Sequence, residues 1–205
     1  MKFLTTPDDY FDQIADFPYS PHYIKVDDTE GGSLNLHYID EGPKDGELVL
    51  MLHGEPSWSY LYRKMINPIV AAGYRVIAAD LIGFGKSDKP TERSDYTYQR
   101  HLDWLRQIII QLDLQDITLV CQDWGGLIGL RLVAAYPGRF AGVMAANTFL
   151  PTGAGKPSPA FEQWKTFSQT VPVFPVGGVI RGATVTDIAE EVEAAEDAPH
   201  PHERY

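Results

Sequence analysis

Leu119-Val120-Cys121-Gln122-Asp123-Trp124-Gly125-Gly126-Leu127-Ile128-Gly129 decides the fold. An apolar run arrives, meets an acid and leaves through small residues compatible with a helix. The pattern reads as a strand that turns sharply at Asp123, a geometry that holds one side chain rigid and exposed while small neighbours permit close packing. Helix capping is the rival reading, because Asp is a common N-cap. Four features weigh against it: the strand leads directly into the acid, Trp124 follows with an indole N–H, Gly125-Gly126 leaves the helix start uncrowded, and the strand sits mid-sheet by order. A carboxylate is ionised at neutral pH without a base and attacks an sp³ carbon bearing a leaving group in one step, whereas Ser needs proton removal and suits acyl carbons. Asp123 therefore points to carbon–halogen or epoxide opening.

Outward from this turn, strands are expected at 47–52, 75–79, 117–121 and 143–146, alternating with helices at 60–72, 98–112 and 124–136. A hairpin, 23–26 with 34–39, precedes them around Gly31-Gly32. This order gives an α/β fold, a mostly parallel sheet with flanking helices. Pro68 predicts a kink or early end in its helix, and Gly73 is a C-terminal cap. Residues 1–20 read as a polar, Pro-punctuated lead-in. Beyond Asn147 the texture changes, with prolines at 151, 157, 159, 172 and 175. Ser158-Pro159 opens a helix carrying Phe161, Trp164 and Phe167, and 187–196 is a short acidic helix. The expected organisation is a core over 1–147 and a helical cap over 148–205.

Sites in such sheets form at the carboxyl ends of strands, which places 53–56, 80–88 and 123–126 together. His53-Gly54-Glu55-Pro56 is expected to give a backbone N–H at Glu55 that joins the Trp124 N–H as an oxyanion hole; a Pro-terminated turn with a structural His is the equal rival. An acid at 55 beside an anion site must point elsewhere, be protonated or bond a neighbour. Gly83-Phe84-Gly85-Lys86-Ser87 fails as a phosphate loop because Asp80 stands at its first Gly position, and as a dinucleotide fingerprint because Asp88 stands at the third. Trp164 is either cap packing with Phe161 and Phe167 or an indole aimed at the same anion as Trp124. His200 and His202 are expected in solvent, and Cys121 in the core, pointing opposite to Asp123.

The net charge is −11 and the pI about 4.9, which disfavours nucleic acid and anionic membranes as partners. The single Cys121 allows no internal disulfide and fits a reducing compartment. Acidic residues come too early for a signal peptide, and no apolar run is long enough to span a bilayer. A cytoplasmic protein is expected, of unspecified oligomeric state.

The stretches His53-Gly54-Glu55-Pro56-Ser57-Trp58-Ser59-Tyr60-Leu61-Tyr62-Arg63, Asp80-Leu81-Ile82-Gly83-Phe84-Gly85-Lys86-Ser87-Asp88-Lys89-Pro90 and Gln122-Asp123-Trp124-Gly125-Gly126 resemble, in the same order, the haloalkane dehalogenases of the α/β-hydrolase superfamily. The resemblance runs from the lead-in to near residue 200. It implies a detoxifying hydrolase that converts a small halogenated alkane to alcohol and halide through an alkyl-enzyme ester on Asp123, with no cofactor or metal. The Trp124 indole would hold the halide. The second donor in the family is an Asn two residues after the loop His or a Trp in the cap; Glu55 occupies the loop position, so Trp164 within Phe161-Glu162-Gln163-Trp164-Lys165 is implied. The family's base His follows the eighth strand, and its acid the sixth or seventh. Here the sixth strand ends at Asn147 and no later strand is read. The expectation is an incomplete fold, truncated within the cap, and an inactive or single-turnover chain. The alternatives are an epoxide hydrolase-like enzyme, whose cap tyrosines have no counterpart in 148–204, and a non-catalytic remnant with an exposed sheet edge.

Overall fold

The computed structural model describes residues 1–151 and 153–202. Its main sheet contains β1 (His22–Asp27), β2 (Ser33–Glu41), β3 (Leu48–Leu52), β4 (Arg75–Ala79), β5 (Ile117–Gln122) and β6 (Phe140–Ala146), in the spatial order β1-β2-β4-β3-β5-β6. The β1–β2 and β2–β4 pairs are antiparallel; the other three are parallel. This is the α/β architecture that the alternating pattern implies.

Every residue of β3 is buried, because helices cover both faces and the strand needs no polar side. Leu48, Leu50 and Leu52 join Leu119 and Cys121 against α2 (Tyr98–Gln111) and α3 (Asp123–Ala135). Val49 and Met51 point the other way, with Val76, Ala78 and Val120, onto Tyr62 and Ile66 at the start of α1 (Arg63–Ala71). Cys121 thus lies in the core as expected, and burial raises its thiol to about 11.

Of the kink or early end expected at Pro68, the early end is not seen: α1 runs through it to Ala71. The N–H that Pro lacks would have bonded the carbonyl of Lys64, one turn earlier, and Lys64 is exposed, so water can satisfy that oxygen. The polar, Pro-punctuated lead-in is tied to the core. Phe3–Leu4 pairs antiparallel with Lys89–Pro90, and Phe11, Ile14 and Phe17 pack with Trp58, Tyr60 and Ala195.

The cap holds α4 (Pro159–Thr170), α5 (Val176–Ala183) and α6 (Glu190–Asp197). Ser158 Oγ accepts the Phe161 N–H at 3.1 Å, as its position predicts. α5 escapes the sequence because Gly177, Gly178 and Gly182 obscure its period. Gly177 is required there, since a Cβ would collide with Glu193 of α6.

α6 is anchored to the core. The Trp58 indole donates to the Ala195 carbonyl at 3.1 Å, Thr6 Oγ1 to the Pro199 carbonyl at 2.7 Å, and Ser57 Oγ lies 2.9 Å from Glu196. His200 is half-buried rather than in solvent, and burial lowers it to about 3. His202 is exposed, edge-on to Tyr10.

Burial pushes the Glu196 carboxyl up to about 7, against the downward pull of Ser57 and Arg63. The folded state holds this proton more tightly than the unfolded chain, so the cost of Glu196 is absent below the ordinary carboxyl pKa and complete above about pH 7. It reaches roughly 3 kcal/mol. Glu196→Gln is therefore expected to raise the thermal midpoint relative to wild type at pH 8 and to leave it nearly unchanged at pH 4, measured by thermal denaturation in matched buffers.

Candidate active site

Strand register assembles the site. Leu52 pairs with Ala79 on one side and Cys121 on the other, so the chain leaves β3, β4 and β5 at one edge of the sheet, through His53, Asp80 and Asp123.

Asp123 opens α3 with φ of +50°, a left-handed conformation costly for a residue with a Cβ. Such strain costs about 1–3 kcal/mol and persists where surroundings enforce it. The surroundings here are backbone. A Cβ at Gly125 would collide with the carbonyls of Leu52 and His53, and one at Gly54 with the Asp123 side chain. Thr148 Oγ1 donates to the Asp123 carbonyl at 2.7 Å, and a Cβ at Gly126 would strike that Thr. The capping reading does not describe this residue. The helix N-cap is Gln122, without a side-chain bond, and Asp123 Oδ1 instead accepts the N–H of Glu55 at 2.9 Å, from the loop after β3.

The two neighbouring turns are locked to each other. His53 is fully buried, with Nδ1–H donating to the Gly54 carbonyl and Nε2 accepting the Leu81 N–H, both at 3.0 Å. Burial lowers its pKa, so it is neutral with both nitrogens engaged. Burial alone would raise the Asp80 carboxyl, but His37 Nδ1 at 2.7 Å and the N–H groups of Ser59 and Lys86, each at 2.8 Å, hold it at about 2. The 80–88 loop is thus a structural turn around a buried carboxylate. Gly85, with φ of +51°, leaves the space that carboxylate fills.

The structure brings Glu55, Trp124 and Trp164 together. Phe167 and Phe174 each lie 5.9 Å from the Trp164 ring, so cap packing positions it. Both its indole and that of Trp124 act on the Glu55 carboxyl, lowering its pKa. Burial first, and the charge of Asp123 second, raise the Glu55 pKa; the two indoles pull it down, and the net shift is upward. Gly54 and Thr148 were not singled out from the sequence. Gly54 carries a readable signal, a small residue beside an expected oxyanion donor; Thr148, following a strand end, carries none.

A family model for the α/β hydrolase fold matches residues 47–175. A haloalkane dehalogenase of Psychrobacter cryohalolentis is 58% identical over 205 residues, all of this chain and 68% of that relative. The haloalkane dehalogenase of Mycolicibacterium paratuberculosis is 48% identical over the same span, with the same coverage of both chains. The chain belongs to the haloalkane dehalogenases. The tetrameric dehalogenase DpaA from Paraglaciecola agarilytica NO2 has the same shape: TM-score 0.92 at 43% identity, over 100% of this chain and 68% of that one. The dehalogenase fold and the hydrolase class acting on carbon–halide bonds, both expected from the three motifs, are those of this chain. Among the described residues no helix is long and apolar enough to cross a membrane.

Gly54→Ala is expected to push the Asp123 carboxylate off the Glu55 N–H. In a variant that keeps the wild-type circular dichroism spectrum, the rate of alkylation by a bromoalkane should fall about a hundredfold, the scale of a displacement of about 1 Å. An unchanged rate would contradict the role given to this contact.

Proposed function

We propose that this chain carries out the halide-displacing step of dehalogenation with Asp123 as nucleophile, Trp124 and Trp164 as halide donors, and the backbone N–H groups of Glu55 and Trp124 as the oxyanion hole. The observation that carries this reading is the bond from the Glu55 N–H to Asp123 Oδ1. It fixes the carboxylate and leaves Oδ2 to attack the carbon bearing the halogen. The carbon–halogen bond breaks as the Oδ2–carbon bond forms, and the electron pair leaves with the halide towards the two indole N–H groups. Oδ1 becomes the ester carbonyl oxygen, already against the N–H that would stabilise an oxyanion when water attacks.

Residues 1–147 supply the nucleophile and its amides, and the cap portion, 148–205, supplies Trp164. His53 does not serve as the base for ester hydrolysis, because a hydrogen bond occupies each of its nitrogens. The small halogenated alkane and the halide are the partners of this chemistry, and the buried, reduced Cys121 is compatible with a cytoplasmic setting.

The test is bromide release from a primary bromoalkane, with intact mass measured on the same sample. Wild type should release bromide, and in a sample quenched during the reaction it should carry one alkyl group. Asp123→Ala should release none, and Trp164→Phe should react about a hundredfold more slowly, the scale of losing one donor to developing charge. Release by Asp123→Ala at the wild-type rate would contradict the nucleophile.

A further inference from the structure

The chain leaves β6 at Ala146 and turns through Asn147, whose φ of +43° is left-handed, a conformation that Asn takes more readily than most residues. The turn delivers Thr148 onto the first turn of α3. Among residues 143–151 Thr148 alone is sheltered; its neighbours on both sides are exposed. Its Oγ1 donates to the Asp123 carbonyl at 2.7 Å, and its hydroxyl and methyl occupy the space that a Cβ at Gly126 would need. The Asp123 carbonyl and the Trp124 N–H are two ends of one planar peptide unit, so holding the oxygen fixes the direction of the N–H. A hydrogen bond accepted at the oxygen also polarises the unit and strengthens the N–H as a donor. That N–H is among the first of α3, which have no carbonyl partner inside the helix. We propose that Thr148 is a positioning residue for the nucleophile: its hydroxyl sets the Asp123–Trp124 peptide and thereby aims the Trp124 N–H at the oxyanion position. This rests on the oxyanion reading of the Trp124 N–H given above.

The two oxyanion amides are thus held by different parts of the chain. The loop after β3 places the Glu55 N–H on Asp123 Oδ1 at 2.9 Å. The loop after β6, through Thr148, holds the peptide that carries the other. One N–H on Oδ1 leaves the carboxylate free to rock about that bond. A second, from another direction, fixes its plane and so the line along which Oδ2 attacks. The left-handed φ of Asp123 makes an outside hold on this peptide more valuable, because the local backbone does not favour the conformation by itself. Packing is the competing account of Thr148: its methyl fills the space over Gly126. The two accounts separate cleanly, since Ser keeps the hydroxyl and loses the methyl, whereas Val keeps the branched shape and loses the hydroxyl.

The experiment compares the 205-residue wild type with Thr148→Ser, Thr148→Val, Thr148→Ala and Asp123→Ala. Bromide release from a primary bromoalkane is followed over a range of concentrations, and the Trp124 backbone amide is observed by ¹⁵N NMR. Thr148→Val is expected to lower the maximal rate about tenfold, the scale of one lost hydrogen bond, with the half-saturating concentration unchanged and the Trp124 amide resonance displaced. Thr148→Ser should match wild type in both rate and resonance. Thr148→Ala removes the hydroxyl without the Val side chain and should react as slowly as Thr148→Val. Wild-type rates in Thr148→Val and Thr148→Ala, with Asp123→Ala inactive, overturn the positioning role and leave the nucleophile standing. A Ser variant as slow as the Val variant assigns the effect to the methyl and also overturns it, as does loss of folding in both hydroxyl-free variants beside a Ser variant that folds. No release by wild type, or release by Asp123→Ala at the wild-type rate, overturns the displacement reading and the role of Thr148 with it.

Discussion

The site depends on how closely two turns approach. The backbone leaving β3 at Leu52 and His53 lies against the first turn of α3, so closely that Gly54 and Gly125 have no room for a Cβ. Parallel pairing of Leu52 with Cys121 sets that approach. The approach in turn places the Glu55 N–H on Asp123 Oδ1 and holds Asp123 in a left-handed conformation. A carboxylate in such a turn has few rotamers and one fixed oxygen, which is what an in-line displacement requires of its nucleophile.

The cost of that strain is met by buried polar bonds around it rather than by apolar packing. His53 ties the loop after β3 to the loop after β4, and Asp80 gathers His37, Ser59 and Lys86 around its carboxylate. A charge without partners at that depth would be heavily penalised; with three donors the Asp80 carboxylate is held at about 2 and remains ionised at any pH where the protein works. The cap is held by different means. Trp58 and Ser57, just beyond Glu55, grip α6, so the loop whose N–H bonds Asp123 is also the one on which the cap sits.

The strand-turn-helix at Asp123, the alternation of strands and helices, and the Ser158 cap were legible because each rests on local chemistry: apolar period, a helix-starting hydroxyl, small residues after an acid. Pro68 misled because position within a helix, not identity alone, sets the cost of a missing N–H. The lead-in and the 195–202 segment misled because Phe11 and Phe17 meet Trp58, while Ala195 and Pro199 bond Trp58 and Thr6 at separations of 137 and 193 residues, and no local pattern encodes that. α5 was hidden because its glycines serve packing against α6. The nearness of Trp164 to Trp124 came from the family resemblance, and the destination of the Glu55 side chain was left open by the sequence, since it depends on the cap closing over the sheet.

The central claim is that the carboxylate of Asp123 attacks carbon. Its most direct test is proteolysis of the bromoalkane-treated chain, followed by tandem mass spectrometry of the peptides. The account predicts the alkyl group on Asp123, within the peptide containing Gln122-Asp123-Trp124. An alkyl group on Glu55, the neighbouring acid, or no alkylated peptide although bromide is released, would contradict it.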